Sequence, residues 1–146
     1  MTSADDSKSP PASTPASQAE GPLAQAMGIE VLEATAERVV ARMPVAGNTQ
    51  PYGLLHGGAS CMLAETAGSI GAMLSAGRGR IAVGVDINAT HHRAVRTGMV
   101  TATARPAYQG RGIATYDITI IDDDGHRVCT ARLTCALRDR PSAAPA

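Results

Sequence analysis

Aromatic side chains are almost missing from this chain: three Tyr, no Phe and no Trp in 146 residues. That removes the stacking platform a single-stranded nucleic-acid binder needs. Excess charge is absent too, with 13 basic against 13 acidic residues, so binding to a polyanion through bulk charge is excluded. Cysteine is scarce. Cys61, Cys129 and Cys135 are odd in number, show no C-x-x-C spacing, and read as free thiols rather than a disulfide framework or a zinc site. Cys129 and Cys135 are six apart, so on a strand both would face one way and could not bridge. The first 21 residues carry no Ile, Val, Leu, Phe or Tyr. They hold Asp5 and Asp6 and no apolar run, so they read as a disordered tail and not as a secretory signal. The expected address is the cytoplasm.

Roughly 120 residues remain, enough for one core. Residues 22–140 are expected to form one domain, with 141–146 a loose tail rich in Pro, Ala and Ser. Val, Ile, Leu, Met and Ala must fill the core. Pro22–Met27 suits a short helix ended by Gly28. Val39, Ala41 and Met43 alternate with Arg38, Val40 and Arg42 as in a half-buried strand. Pro44, Gly47, Asn48 and Pro51 mark a loop running to Leu55.

Gly57–Ala76 differs in kind: twenty residues with one charge, Glu65, and four glycines. It is too polar and glycine-rich for a membrane span, where a lone carboxylate would be costly. It reads as a central helix buried nearly all round, whose small side chains let a sheet wrap closely. Four strand-like runs follow, around Ile81–Ile87, Val100–Ala104 ending at Pro106, Tyr116–Ile120 and Cys129–Leu137. Asp123, Asp124 and Gly125 signal a hairpin. The expected class is α+β, a curved antiparallel sheet around one long helix.

Glu65 is the residue that most needs explaining. An ionised carboxylate among apolar neighbours costs several kcal/mol unless paired. Positions 61, 62, 68 and 69 hold no Lys, Arg or His to neutralise it. Either an Arg from a strand or a buried water pairs with it, or the site keeps a poorly solvated acid because it uses it. Gly57 stands at the helix start, where backbone N–H groups lack intrahelical acceptors and the dipole is positive. That suits an oxyanion donor, although Gly57 and Gly58 could equally serve a tight turn.

The string of elements, with Gln50-Pro51-Tyr52-Gly53-Leu54-Leu55-His56-Gly57-Gly58 followed by Glu65 and Ser69, resembles the hotdog-fold acyl-CoA thioesterases. Within them it is most similar to the 4-hydroxybenzoyl-CoA and phenylacetate-pathway (PaaI-like) subgroup, over about Ile29 to Arg140. The resemblance implies hydrolysis of an acyl-CoA to a free acid and CoA, with a small to medium acyl group, aryl included. It implies that Glu65 attacks the thioester carbonyl or activates water, and the sequence leaves those two open. It implies that the Gly57 N–H holds the oxyanion, that Gln50 touches the reacting end of the substrate, and that Ser69 positions the water or Glu65. His56 caps the turn or orients the thioester. Plain structural roles for Gln50, Ser69 and His56 stay open beside these.

CoA phosphates need cations. Arg93, Arg111 with Gly112, Arg138 and Arg140 are the candidates, although each alone also fits a solvated charge. Arg93-Ala94 departs from the Arg-Pro common in relatives. No cofactor or metal is expected, CoA being part of the substrate. His91 and His92 are adjacent and lack a third ligand at suitable spacing. Asp122–Asp124 read as a turn, since the bidentate Glu of a calcium loop is missing.

Gly57 and Glu65 are eight residues apart, about 12 Å along a helix axis. One helix therefore struggles to present both to one carbonyl, even with the Glu side chain leaning toward the N-terminus. Two antiparallel helices across a dimer axis would do so. A homo-oligomer with interfacial sites is expected, a dimer or a dimer of dimers (homotetramer), with no nucleic-acid or membrane partner. Two rivals remain: a hydratase or dehydratase of the same fold using His56 with Glu65, and a non-catalytic acyl-CoA-binding module.

Overall fold

The computed structural model describes residues 21–142. The expected tails at 1–20 and 143–146 lie outside them. Gly21, placed with the tail by composition, instead opens the first helix, α1 (Gly21–Ala26). Two strands follow, β1 (Glu30–Ala34) and β2 (Val39–Pro44), then the long helix α2 (Gly57–Ala76). Four strands complete the chain: β3 (Arg80–His91), β4 (Met99–Gln109), β5 (Ile113–Asp122) and β6 (Arg127–Asp139).

The six strands form one antiparallel sheet in the order β1-β2-β4-β5-β6-β3. The chain leaves β2, passes through α2 to β3 at the far edge, and returns to β4 beside β2. Alternation along the strands sends Ala41, Met43, Ala102, Ile118, Ile120 and Leu133 inward, all fully or almost fully buried. Leu63, Ala64, Ala67 and Ile70 of α2 meet them. Small residues permit the close approach. A Cβ on Gly68 would lie 2.7 Å from Leu133 Cδ2, and one on Gly71 would lie 2.5 Å from Tyr116 Cε1.

Three expectations are corrected. First, α2 is not enclosed all round. Cys61 and Met62, with Glu65, Ser69 and Met73 following at three- and four-residue steps, form a stripe that is only half-buried. Second, β4 does not stop at Pro106 but runs on to Gln109. Its neighbour β2 ends opposite Ala104, so the missing N–H of Pro106 faces no ladder on that side. Third, the apolar alternation Ile81, Val83, Val85, Ile87 is broken by a bulge between Gly84 and Asp86. The extra residue turns the face over: Ile87 joins the core, while Val83 and Val85 are 48% and 59% exposed. β3 is thus a long, apolar, unpaired sheet edge.

Candidate active site

The start of α2 is built by His56. Its backbone is extended, and its Nδ1 accepts a hydrogen bond from Gly58 N–H at 2.8 Å. Its carbonyl accepts from Ala59 N–H at 2.9 Å and Ser60 N–H at 3.3 Å. His56 is therefore the N-cap, and its Nδ1 is committed to that task, while its Nε2 makes no bond among the described residues. The Gly57 N–H donates to no group among the described residues. It is the one free amide in this turn, at the positive end of a twenty-residue helix.

A cavity of about 330 Å³ opens beside it, lined by Gln50, Leu54, Leu55, Gly57, Ser60, His91, His92, Arg93, Ala94 and Val128. The loop before α2 brings Gln50 here. Gln50 Oε1 accepts from Tyr52 N–H at 2.6 Å, which fixes the side chain and leaves its amide NH₂ for a ligand. His91, at the end of β3, lies directly over Gly57: a Cβ there would be 2.8 Å from His91 Nε2. His92 Nε2 pairs with Thr130 Oγ1 at 2.9 Å.

Arg93 borders the same cavity, its Nε 3.7 Å from Asp122 Oδ2, with His126 Nδ1 3.4 Å from that oxygen. Burial alone would raise the Asp122 pKa, but hydrogen bonds from the His126 and Asp124 N–H groups, with the His126 and Arg93 charges, hold it below the ordinary range. Asp122, Asp124 and His126 come within 4.8 Å of one another. Asp122 Oδ1 accepts from the N–H groups of Asp124 and His126, so the cluster forms the expected turn.

Glu65 lies elsewhere. It lines a second cavity of about 210 Å³ with Gly84, Val85, Asp86, Ile87 and Leu133 at the β3 edge. It makes no hydrogen bond or ion pair among the described residues, so no strand Arg neutralises it. Two thiols flank it. Burial raises the Cys61 pKa, and the Glu65 charge raises it further. Burial also raises that of Cys135; a hydrogen bond from Ser69 opposes this and Glu65 adds to it. These thiols stay protonated at neutral pH and offer no thiolate nucleophile. Ser69 Oγ lies 4.0 Å from Cys135 Sγ and not on the Glu65 carbonyl.

Within the chain, then, Gln50, His56, Gly57 and Arg93 come together, and Glu65 with Ser69 stands apart. The remaining cations do not join Arg93. Gly112 accepts from Leu137 N–H, Arg138 donates to the Leu137 carbonyl, and Arg140 N–H donates to Gly79, all where β3 begins and β6 ends. The Arg111 carbonyl accepts from Arg80, a fifth cation that sequence reasoning missed. Arg93 sits at the opposite end of the β3–β6 ladder, because antiparallel pairing sets Arg80 against Asp139 and His91 against Cys129. Sequence reasoning also missed Ser60, His91 and His92 as cavity residues. Their placement follows from the end of β3 meeting the start of α2, which no local pattern signals.

A six-stranded antiparallel sheet curved around one long helix is the fold of the hotdog thioesterases. A family model for the thioesterase superfamily matches residues 52–129, and this chain belongs to that family. The proofreading thioesterase EntH of Cronobacter turicensis is 44% identical over 118 residues, covering 80% of this chain and 86% of that one. EntH of Klebsiella pneumoniae is 45% identical over 112 residues, covering 76% and 82%. Among solved structures, the thioesterase HI1161 of Haemophilus influenzae superposes with a TM-score of 0.82 at 37% identity, covering 88% of this chain and 90% of that one. No helix among the described residues is long and apolar enough to cross a membrane.

Proposed function

We propose that this thioesterase hydrolyses small to medium acyl-CoA thioesters, aryl-acyl groups included, in PaaI-like fashion, at sites shared between two copies of the chain in the cytoplasm. The observation that carries the reading is the split of the machinery: the free Gly57 N–H with Gln50 in one cavity, the unpaired Glu65 in another. Neither half suffices for thioester hydrolysis.

The β3 edge offers the way to join them. It is twelve residues long, unpaired and apolar at Val83 and Val85, the kind of edge that pairs with another chain. A two-fold axis there sets two β3 strands, and the two α2 helices above them, antiparallel. The half-buried stripe of α2 then meets its copy, and Glu65 of one protomer approaches the Gly57 turn of the other. The same axis carries one protomer's Arg111, Gly112, Arg138 and Arg140 toward the other's Arg93. Together these cations hold the CoA phosphates. Two such dimers can assemble further into a homotetramer.

In the reaction, the thioester oxygen accepts from Gly57 N–H, with the Gln50 amide at the reacting end. Glu65 attacks the carbonyl carbon, or takes a proton from a water that Ser69 positions. The C–S bond breaks, CoA leaves as a thiol after gaining a proton, and water supplies the oxygen of the free acid. The scheme uses no cofactor.

A panel of acyl-CoAs assayed by release of free thiol tests the reading, with sedimentation of the same preparation. Thiol release from an oligomer is expected. Binding of acyl-CoA without thiol release, hydration that leaves the thioester intact, or full activity in a monomer would each overturn part of it.

A further inference from the structure

Ser60 is a polar residue on α2 that the scheme above does not use. It is 1% exposed, yet its hydroxyl has no hydrogen-bond partner among the described residues. It lines the cavity that holds the free Gly57 N–H. The hydroxyl is not sealed in: among the described residues the side-chain polar atom that is both fully buried and unpaired is Arg38 Nε, so the Ser60 hydroxyl keeps a small opening, and the cavity it lines is where a ligand can supply its partner.

The position of Ser60 narrows what that partner is. Ser60 follows Gly57 by three residues, so the two lie on neighbouring faces of one turn. Helical side chains tilt toward the N-terminus, which aims the Ser60 hydroxyl back over the turn containing Gly57. The same i to i+3 reach operates in capping boxes, where a side chain meets a backbone amide three residues earlier. The helix start is otherwise spent: Gly58 N–H goes to His56 Nδ1, and the N–H groups of Ala59 and Ser60 go to the His56 carbonyl. One amide remains, where an oxyanion carrying nearly a full charge is better held by two donors.

We infer that Ser60 Oγ–H and Gly57 N–H together hold the oxygen of the thioester carbonyl, Ser60 being a catalytic residue that donates to the developing oxyanion. The inference rests on the thioester occupying the Gly57 cavity, as proposed above. As Glu65 or its water adds to the carbonyl carbon, the C=O electron pair moves onto oxygen and both hydrogen bonds strengthen. When the C–S bond breaks the pair returns, and the Ser60 proton stays on Oγ throughout. Because the hydroxyl gains most in the transition state, its removal falls on kcat rather than on KM.

The test uses the full chain and whichever acyl-CoA the unsubstituted protein hydrolyses fastest. Ser60→Ala removes the donor, and Ser60→Cys keeps the volume while offering only a weak one. Both are expected to lower kcat by about tenfold to a hundredfold, with KM changed less than about twofold. The thermal midpoint of Ser60→Cys should stay near that of the unsubstituted protein, which separates lost chemistry from lost packing. The loss should be similar for acyl groups with and without polar substituents. Retention of kcat within about twofold in Ser60→Ala would overturn the inference. So would a loss confined to KM for acyl groups that bear a hydroxyl, since Ser60 would then read the acyl chain. Absence of thiol release from the unsubstituted protein would overturn the acyl-CoA reading itself, and this inference with it.

Discussion

Glu65 and Gly84 are in direct contact: a Cβ built on Gly84 would come within 2.8 Å of Glu65 Oε1. The lone acid of α2 thus rests on bare backbone at the β3 bulge, where any side chain would displace it. Gly84→Ala is expected to move the carboxylate, which is the free end of a flexible side chain, with little effect on the thermal midpoint. A shift of this size at a reacting group costs about tenfold to a hundredfold in kcat. Steady-state kinetics beside a melting curve check it, and unchanged kcat would detach the bulge from catalysis.

Glu65→Gln tests the acid itself. Glu65 has no partner, so its neutralisation leaves no orphaned charge and the melting temperature should hold or rise. The rate of thiol release should fall by about a hundredfold or more. A loss under about tenfold, or ~1.4 kcal/mol of barrier, would take Glu65 out of the chemistry.

Gly57→Ala would place a methyl group 2.8 Å from His91 Nε2. The imidazole must swing aside, and the methyl narrows the approach to the Gly57 N–H. Higher KM and lower kcat together are expected, measurable on the same acyl-CoA panel. His91→Ala in the Gly57→Ala background should recover part of the loss, because it removes the clash.

Gly71→Ala tests the core instead of the site. Alanine gains about 1 kcal/mol in helix propensity. Its Cβ would lie 2.5 Å from Tyr116 Cε1, however, and that ring cannot retreat. Tyr116 is fully buried, its hydroxyl donating to the Ala36 carbonyl at 2.5 Å and accepting from Gln109 Nε2 at 3.0 Å. Overpacking of this kind costs about 1–3 kcal/mol, so a lower denaturation midpoint is expected. A midpoint at or above that of the parent would show that the sheet can yield there.

The thiols set a pH dependence. Burial first, and then Cys61, push the Cys129 pKa from 9.0 up to about 11, and Cys61 and Cys135 are raised as well. The folded state therefore holds these protons more tightly than the unfolded chain. The resulting stability is complete below pH 9.0 and is lost as pH rises through about 11. Denaturant midpoints measured from pH 8 upward should fall across that window, and replacing Cys129 by Ala should flatten the fall. Thiol-labelling reagents should react slowly with the folded chain near neutrality.

The sequence by itself determined the helix, the number of later strands and the main candidates for chemistry. Gly57–Ala76 was legible because its caps, length and single charge are local properties, and so was the hairpin at Asp123–Gly125. Local composition also marked Gln50, Gly57 and Glu65. What it could not determine is which ends meet. The bulge at Gly84 reverses the face of β3 although Ile81, Val83, Val85 and Ile87 alternate without interruption, because the mismatch arises in its pairing with β6. Antiparallel pairing of β3 with β6 brings His91 over Gly57 and carries Arg111, Arg138 and Arg140 away from Arg93. Only the folded chain shows Ser60 in the wall of the Gly57 cavity with its hydroxyl unpaired, and Glu65 set in a different cavity from Gly57. Local pattern is written by neighbours along the chain, whereas a site is assembled by contacts between distant segments, and those are decided by packing.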